Sequence, residues 1–479
     1  MCGIIGIAST KDVIQDVLFG LSALQHRGQN ACGIATFNDV FHVTKGLGLI
    51  STVFNQQNAA PMTGKMGLGH VRYATQGSDN LLNAQPFTSN FPFGIAMIHN
   101  GNIINFDELR KSLNERNHYL LETTNDLELI LYTFASYLAK KNLNDLHVED
   151  IFDAVTSTQQ DATGAYATIS LIANRGLLAF TDPHGIRPLS IGRKKEGDSY
   201  VYAFASESTC FDFLGYELLD DLKPGEAVFV DMQNRLHRKV CVTAKRSFCI
   251  FEYIYFARED SILHNKLVAT ERMRMGKVLA KKIQQAGLQP DIVIDVPSSA
   301  YFFATELAEQ LGVPYRRGLA KNNHIGRSFI LSSQQEREAT ARLKLNPIKH
   351  LIQGKKVVVV DDSIVRGTTS KHIVTLLRNA GAKEIYFVSA APPIKSPCIY
   401  GIDMAISSEL IGRNTLEDIR QYLAVDALIY QSLDDLKELY KDEQFCYACF
   451  DGKYPIERSM EYLHSIEADR KENTVKGSC

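Results

Sequence analysis

The stretch VVVVDDSIVRGTTS, residues 357–370, constrains this chain more than any other. Four consecutive valines suit a strand buried on both faces, as in a parallel sheet covered by helices. Asp361 and Asp362 fall where that strand leaves the sheet. Ligands of open α/β sheets bind there, just outside the carboxyl ends of the strands. Gly367 then precedes Thr368, Thr369 and Ser370 at the start of a helical pattern. A glycine turn at a helix N-terminus offers backbone N–H groups to a phosphate, and small hydroxyls add donors. Two acids beside such a cradle suit a sugar diol or hydrated magnesium. The plainer reading is a bare strand end followed by a Thr/Ser-capped helix. The order of the parts favours the phosphate site.

The surrounding pattern supports a parallel sheet. KLVATERMRMGKVLAKKIQQAG reads as an amphipathic helix, DIVIDVPSS as a buried strand, ATELAEQLG as a helix and VPYRRGLA as a strand. After KKVVVVDD come the helix TSKHIVTLLRNAGA and the strand EIYFVSAAP. Residues 1–235 read differently. Short β-like runs such as IIGIA, GLGHVRYA and AYATISLIA are separated by turns, with amphipathic helices near 12–25 and 126–140. An α+β layered domain followed by an α/β domain is therefore expected, divided near residues 235–247. The polar end, EADRKENTVKGSC, reads as a tail.

At 479 residues there is room for two or three domains. A net charge of −2 gives no electrostatic reason to expect nucleic acid or a membrane as partner. With no spanning apolar stretch and no secretion-signal pattern, the chain is expected to be cytoplasmic. Its nine cysteines are then thiols: core fillers, ligands or nucleophiles.

The string at 357–370 resembles the signature of type I phosphoribosyltransferases, which bind phosphoribosyl pyrophosphate (PRPP). The resemblance assigns the ribose to Asp361 and Asp362, and the 5-phosphate region to Ser363, Arg366, Gly367, Thr368 and Thr369. DVPSSA occupies the place of the family's pyrophosphate loop, with Ser298 where an acidic residue is expected. The same assignment puts Ser298, Asp361 and Asp362 at a magnesium ion, one in each subunit. KNNHIGRSFILSSQQEREATARLKLNPI resembles the loop that closes over PRPP, making Lys321, Arg327 and Lys344 partners for pyrophosphate. Asn323 and His324 depart from that loop's pattern.

The front half resembles class II glutamine amidotransferases, which are N-terminal nucleophile hydrolases of four-layer αββα fold. The resemblance rests on LQHRGQNACGIA (24–35), GLGHVRYATQG (67–77), IHNGNI (98–103) and TTNDLEL (123–129). It makes Cys2 the nucleophile once Met1 is removed, and Asn100 with Gly101 the oxyanion hole. It makes Arg72 and Asp126 ligands of glutamine, with Arg27 and His70 in matching motifs and Arg27 also taken as glutamine-binding. Singly, each residue has a bland reading: a strand cysteine, a hairpin Asn-Gly, a salt-bridge arginine, an acid at a helix start. Together, and in family order, they favour a glutamine site.

Over about 2–460 the two halves resemble the glutamine PRPP amidotransferase family. That implies a glutaminase domain at 2–240, a phosphoribosyltransferase domain at 241–465 and a flexible tail at 466–479. It also implies glutamine and PRPP as substrates, purine nucleotides as feedback inhibitors, and a homotetramer or homodimer. Ammonia would pass between sites by a dry route, for which Tyr73 and FEYIYFARED (251–260) are candidate linings; an aromatic core strand is the alternative. Cys249, Cys398, Cys446 and Cys449 could hold zinc or an iron–sulfur cluster, or remain thiols. Resemblance of FCYACFDGKYP to the family's ligand pair favours [4Fe–4S].

Overall fold

The structure, a computed structural model, describes residues 1–73, 80–322, 345–402 and 406–476.

Two antiparallel sheets lie face to face in the first half. One runs in the order Glu217–Asp221, Ser190–Glu196, Ser199–Ala205, Gly3–Ala8, Met66–Arg72, Ala31–Asn38, Val40–Leu47. The other runs Leu236–Val240, Glu226–Asp231, Gly176–Thr181, Gly164–Ile172, Ile95–Ile103, Phe87–Ser89. Alternation along the strands explains the layering. In Gly3–Ala8, Ile4 and Ala8 join a core with Ile98 and Ile169 of the opposite sheet. Ile5 and Ile7 point the other way, onto Val17 and Leu21 of helix Ile14–Ala23. On the far side, helices Asp126–Leu138 and Val148–Asp161 cover Met97, Tyr166 and Leu178. The result is helix, sheet, sheet, helix, the four-layer αββα order expected.

The helices Phe106–Asn117 and Val148–Asp161 went unread in the sequence. In the first, only Leu109 and Leu113 are buried, so its apolar stripe is thin.

The second half carries a parallel four-stranded sheet, in the order Ile292–Asp295, Lys356–Asp361, Glu384–Ser389, Ala427–Tyr430. The valine run behaves as its composition demands. Val358 and Val360 face Met275, Leu279 and Phe303 of helices Val268–Gln285 and Tyr301–Leu311. Val357 and Val359 face Ile373, Leu377 and Leu423 of helices Thr368–Asn379 and Leu416–Leu423. Both faces are covered, and every valine is fully buried.

VPYRRGLA, expected as a strand of this sheet, contributes only an isolated bridge at Tyr315; Leu319–Lys321 instead pairs with Leu345–Pro347. Helix Ser459–Lys476 runs into the end of the chain, across part of the stretch expected as a flexible tail at 466–479. Among the described residues, no helix is long and apolar enough to cross a membrane.

Candidate active sites

Cys2 leads directly into strand Gly3–Ala8, which pairs with Met66–Arg72 in the register Gly3↔Val71. Its backbone N–H donates to Asn100 Oδ1 at 3.2 Å, and its thiol approaches the Tyr73 carbonyl at 3.8 Å. The Asn100 amide nitrogen is buried with no hydrogen-bond partner among the described residues. A buried donor left open costs free energy unless something uses it. Gly101 follows at φ +157, and a Cβ there would stand 2.0 Å from the Ala165 carbonyl. Only glycine lets this strand lie so close to its neighbour Gly164–Ile172.

Asp126 opens helix Asp126–Leu138, behind the cap that Asn125 provides to Leu127. Its Oδ2 accepts from Ile103 N at 3.0 Å and lies 3.2 Å from His99 Nε2. The His99 tautomer follows from its other partner. The His99 N–H donates to Gln85 Oε1 at 2.7 Å, which turns the Gln85 amide nitrogen toward Nδ1 at 2.8 Å. Nδ1 is then the acceptor, and Nε2–H donates to Asp126. Gln85 and His99 thus hold the carboxylate in place, roles the sequence did not reveal. Arg72 lies buried at the end of its strand. His70 is wholly buried with neither ring nitrogen hydrogen-bonded among the described residues. Burial, with His99 and Arg72 nearby, pushes its pKa well down, so it is neutral.

Arg27 is placed differently from its expected glutamine-binding role. Its guanidinium is inside the protein, 2.5 Å from Glu207 and 3.1 Å from both oxygens of Glu252. Its Nε donates to the Cys2 carbonyl at 2.9 Å. With its donors committed in this way, Arg27 is tied to the Cys2 carbonyl and to two buried carboxylates. Glu207 also accepts from Arg258 N and Ser261 Oγ, and contacts His26. Burial alone would raise the Glu207 pKa, but His26 and Arg27 overcome it and hold the carboxyl well below its usual range.

Of the aromatic run FEYIYF, Tyr253 is a core residue. It donates to Leu263 O at 2.8 Å and stacks on Tyr440. Arg272 ties down the carbonyls of Tyr253, Tyr255 and Ala257 in this short π-helical turn.

The second constellation lies at the carboxyl ends of the parallel strands. Asp361 and Asp362 are both buried, and burial with mutual repulsion drives the Asp361 pKa well up. Burial also raises Asp362, against the opposing pull of Ser299, Ser363 and Arg272. Ser299 Oγ donates to Asp362 Oδ2, and Ser363 Oγ to Oδ1 at 2.7 Å. Ser299, one place beyond the Ser298 read from the sequence, is the residue of that loop that bonds to Asp362. Ser298 Oγ instead sits 3.4 Å from Lys321 Nζ. Gly367, at φ +78, caps helix Thr368–Asn379, where Thr368 and Thr369 form the first turn. A Cβ on Gly367 would stand 2.6 Å from Ile411. Arg366 is paired with Glu409 at 2.8 Å, so it does not point freely at the cradle. Arg327, Lys344, Asn323 and His324 lie outside the described residues.

The four cysteines of the second half meet in one corner. Phe248–Cys249 pairs in parallel with Phe445–Cys446, setting Cys249 opposite Cys446. The Cys449 carbonyl accepts from Lys395 N and Ser396 N, and Tyr400 N approaches Cys398 Sγ at 3.4 Å. Burial pushes the Cys249 thiol up to about 12 and Cys449 well above its usual range, so both are protonated at neutral pH. Among the described residues, no three Cys, His, Asp or Glu side chains are set as a ready metal site. Four soft sulfur donors fit iron–sulfur or zinc in kind, and binding would have to displace their protons.

Comparison with known proteins gives a family for each half of the chain. The glutamine amidotransferase domain family matches residues 70–212, and the phosphoribosyl transferase domain family residues 261–396. The amidophosphoribosyltransferase of Haemophilus influenzae is 43% identical over 491 residues, 99% of this chain and 97% of that protein. That of Methanocaldococcus jannaschii is 40% identical, covering 97% of this chain and 99% of its own. The solved glutamine PRPP amidotransferase of B. subtilis, complexed with ADP and GMP, superposes with a TM-score of 0.84 at 37% identity. It covers 95% of this chain and 98% of its own. With such similarity along nearly its whole length, the chain belongs to the amidophosphoribosyltransferase family.

Proposed function

We propose that the chain converts glutamine, PRPP and water to 5-phosphoribosylamine, glutamate and pyrophosphate, the opening step of de novo purine synthesis. The single observation that carries the glutaminase half is the bond from Cys2 N to Asn100 Oδ1, with the Asn100 amide nitrogen buried and open beside it. Once Met1 is removed, Cys2 carries its own α-amine, of pKa about 7.7–8.0, as general base. Burial pushes the Met1 amine down to about 5, so the retained residue sits in a place hostile to its charge.

The Cys2 thiolate attacks the side-chain amide carbon of glutamine, and the oxyanion is met by Asn100 Nδ2 and the Gly101 N–H. The tetrahedral intermediate expels the amide nitrogen as ammonia, its last proton coming from the α-ammonium. Water then cleaves the thioester to glutamate. Arg72 takes the α-carboxylate and Asp126 the α-ammonium of glutamine. Ammonia passes inside the protein, near Tyr73 and residues 251–260, because the protonated form cannot attack.

At the second site Asp361 and Asp362 take the ribose hydroxyls, and Ser363, Gly367, Thr368 and Thr369 the 5-phosphate. Arg366 joins them by exchanging Glu409 for the phosphate. Lys321, with Arg327 and Lys344, meets the pyrophosphate. A magnesium ion in each subunit, held by Asp361 and Asp362 near Ser298, would supply charge stabilisation to the departing pyrophosphate. The repulsion between two buried acids supports a cation there. Cys249, Cys398, Cys446 and Cys449 would hold a [4Fe–4S] cluster, with zinc or free thiols as alternatives; their convergence supports a shared ligand.

The glutaminase domain is taken as 2–240 and the phosphoribosyltransferase domain as 241–465, in a cytoplasmic homotetramer or homodimer. Purine nucleotides are the expected feedback inhibitors, supported by the ADP and GMP of the B. subtilis relative. The test is Cys2→Ala. Glutamine-dependent turnover should vanish while added ammonia still releases pyrophosphate; loss of both would make Cys2 structural. Intact mass should show Met1 absent in active enzyme. Iron and sulfide in a four-to-four ratio would support the cluster ( for its composition), and stoichiometric zinc in colourless protein would remove it.

A further inference from the structure

The strand that carries Gly101 is held from both sides. On one side its backbone lies against Ala165 and Tyr166 of the neighbouring strand. On the other it meets the second half of the chain. A Cβ built on Gly401 would stand 2.9 Å from the Gly101 carbonyl carbon and oxygen, and 3.1 Å from its Cα. Gly401 is at φ +98, a conformation side chains rarely take, so two glycine backbones touch with nothing between them.

Two further contacts fix this approach. The Asn102 side chain, next to Gly101, donates to the Ile399 carbonyl at 2.8 Å. Arg187, fully buried, donates through Nε to the Tyr400 carbonyl at 2.7 Å. Residues 399–401 are therefore bonded to the first half at two consecutive carbonyls and packed against it at the third position. Neither Asn102, Arg187 nor Gly401 has a place in the chemistry described above.

We propose that Gly401 is a positioning residue for glutamine hydrolysis: segment 399–401 of the phosphoribosyltransferase half, anchored by Asn102 and Arg187, sets the Gly101 N–H that meets the oxyanion. The inference rests on Gly101 belonging to the oxyanion hole. An oxyanion donor acts in the transition state and little in the ground state. A shifted Gly101 therefore lowers kcat for glutamine and leaves KM nearly unchanged. It also weakens an aldehyde analogue of glutamine, which adds to the Cys2 thiol as a tetrahedral adduct, more than it weakens glutamate.

The experiment compares full-length Gly401→Ala, Asn102→Ala and Asn100→Ala. Gly401→Ala should lower glutamine-dependent kcat by about 10- to 100-fold, short of losing a donor outright. Its glutamine KM and its ammonia-dependent pyrophosphate release should match the parent. Asn102→Ala, which adds no bulk and keeps the backbone, should shift the same quantities less, and aldehyde affinity should fall in step with kcat. If Gly401→Ala and Asn102→Ala both hydrolyse glutamine normally while Asn100→Ala is inactive, the buttress is wrong and the oxyanion hole stands. Parallel loss of both activities in the two variants would also overturn it, as a purely structural contact. A fully active Asn100→Ala would sink the oxyanion assignment itself.

Discussion

Two of the buried charge clusters among the described residues are opposites. Around Arg27, opposite charges meet: the guanidinium is flanked by Glu207 and Glu252, and nearly every donor is used. At Asp361 and Asp362, like charges meet, relieved by hydroxyls, backbone and, at Asp362, the nearby Arg272. A satisfied buried ion network holds structure together, here clamping the Cys2 carbonyl to a turn of the second half. A buried pair of acids that repel one another is an arrangement that concentrates at binding and catalytic sites. In the proposed function the first cluster positions and the second binds.

Removing one partner should expose the difference most strongly at the compensated cluster. Glu252→Ala leaves Arg27 short of a counter-charge and should cost about 3–5 kcal/mol, read as a lower urea midpoint. An unchanged midpoint would mean the network is not holding the fold. Asp361→Asn should do the reverse. PRPP-dependent pyrophosphate release should fall by about 10²–10³-fold, with stability at pH 8 equal to or above the parent's.

The pH dependence has opposite signs at the two places. The folded pKa of Glu207 lies below its unfolded value, so its stabilisation is present above about pH 4.3 and lost as pH falls through the folded pKa. The folded pKa of Asp361 lies above its unfolded value. Its penalty is absent below about pH 3.9 and grows as pH rises through the folded pKa. The stability gained by Asp361→Asn should accordingly widen from pH 4 to pH 8; a gain independent of pH would break the comparison.

Binding should report the same protons. Magnesium with PRPP should release a proton from the aspartate pair, seen as a binding enthalpy that varies with buffer ionisation; Asp361→Asn should abolish that variation. The smallest effect is expected at Ser299→Ala, which removes a donor to Asp362. It should move the acidic limb of the pyrophosphate-release profile upward by about one pH unit.

The PRPP end of the molecule was legible because its signals are local. A valine run, two acids, a glycine and two threonines sit within one stretch, and strand and helix periodicity position them without outside help. The glutamine end was legible as separate motifs, but their wiring was not. Arg27 sits in a motif that resembles a glutamine site, while its partners in the structure lie 180 and 225 residues away. No periodicity marks Glu207 or Glu252 as counter-charges. Gln85 and His99 escaped for the same reason, since their effect on Asp126 arises only when Ile95–Ile103 is laid beside the helix. Gly401 carries no sequence signal beyond being a glycine.

In the proposed function, glutamine chemistry at Cys2 and PRPP chemistry at Asp361 and Asp362 form one reaction. It is tested most directly by incubating purified enzyme with glutamine, PRPP and magnesium and following glutamate and pyrophosphate together. Equal amounts of the two products are expected, with little ammonia in the medium. Glutamate released with no pyrophosphate, and at a rate indifferent to PRPP, would contradict it.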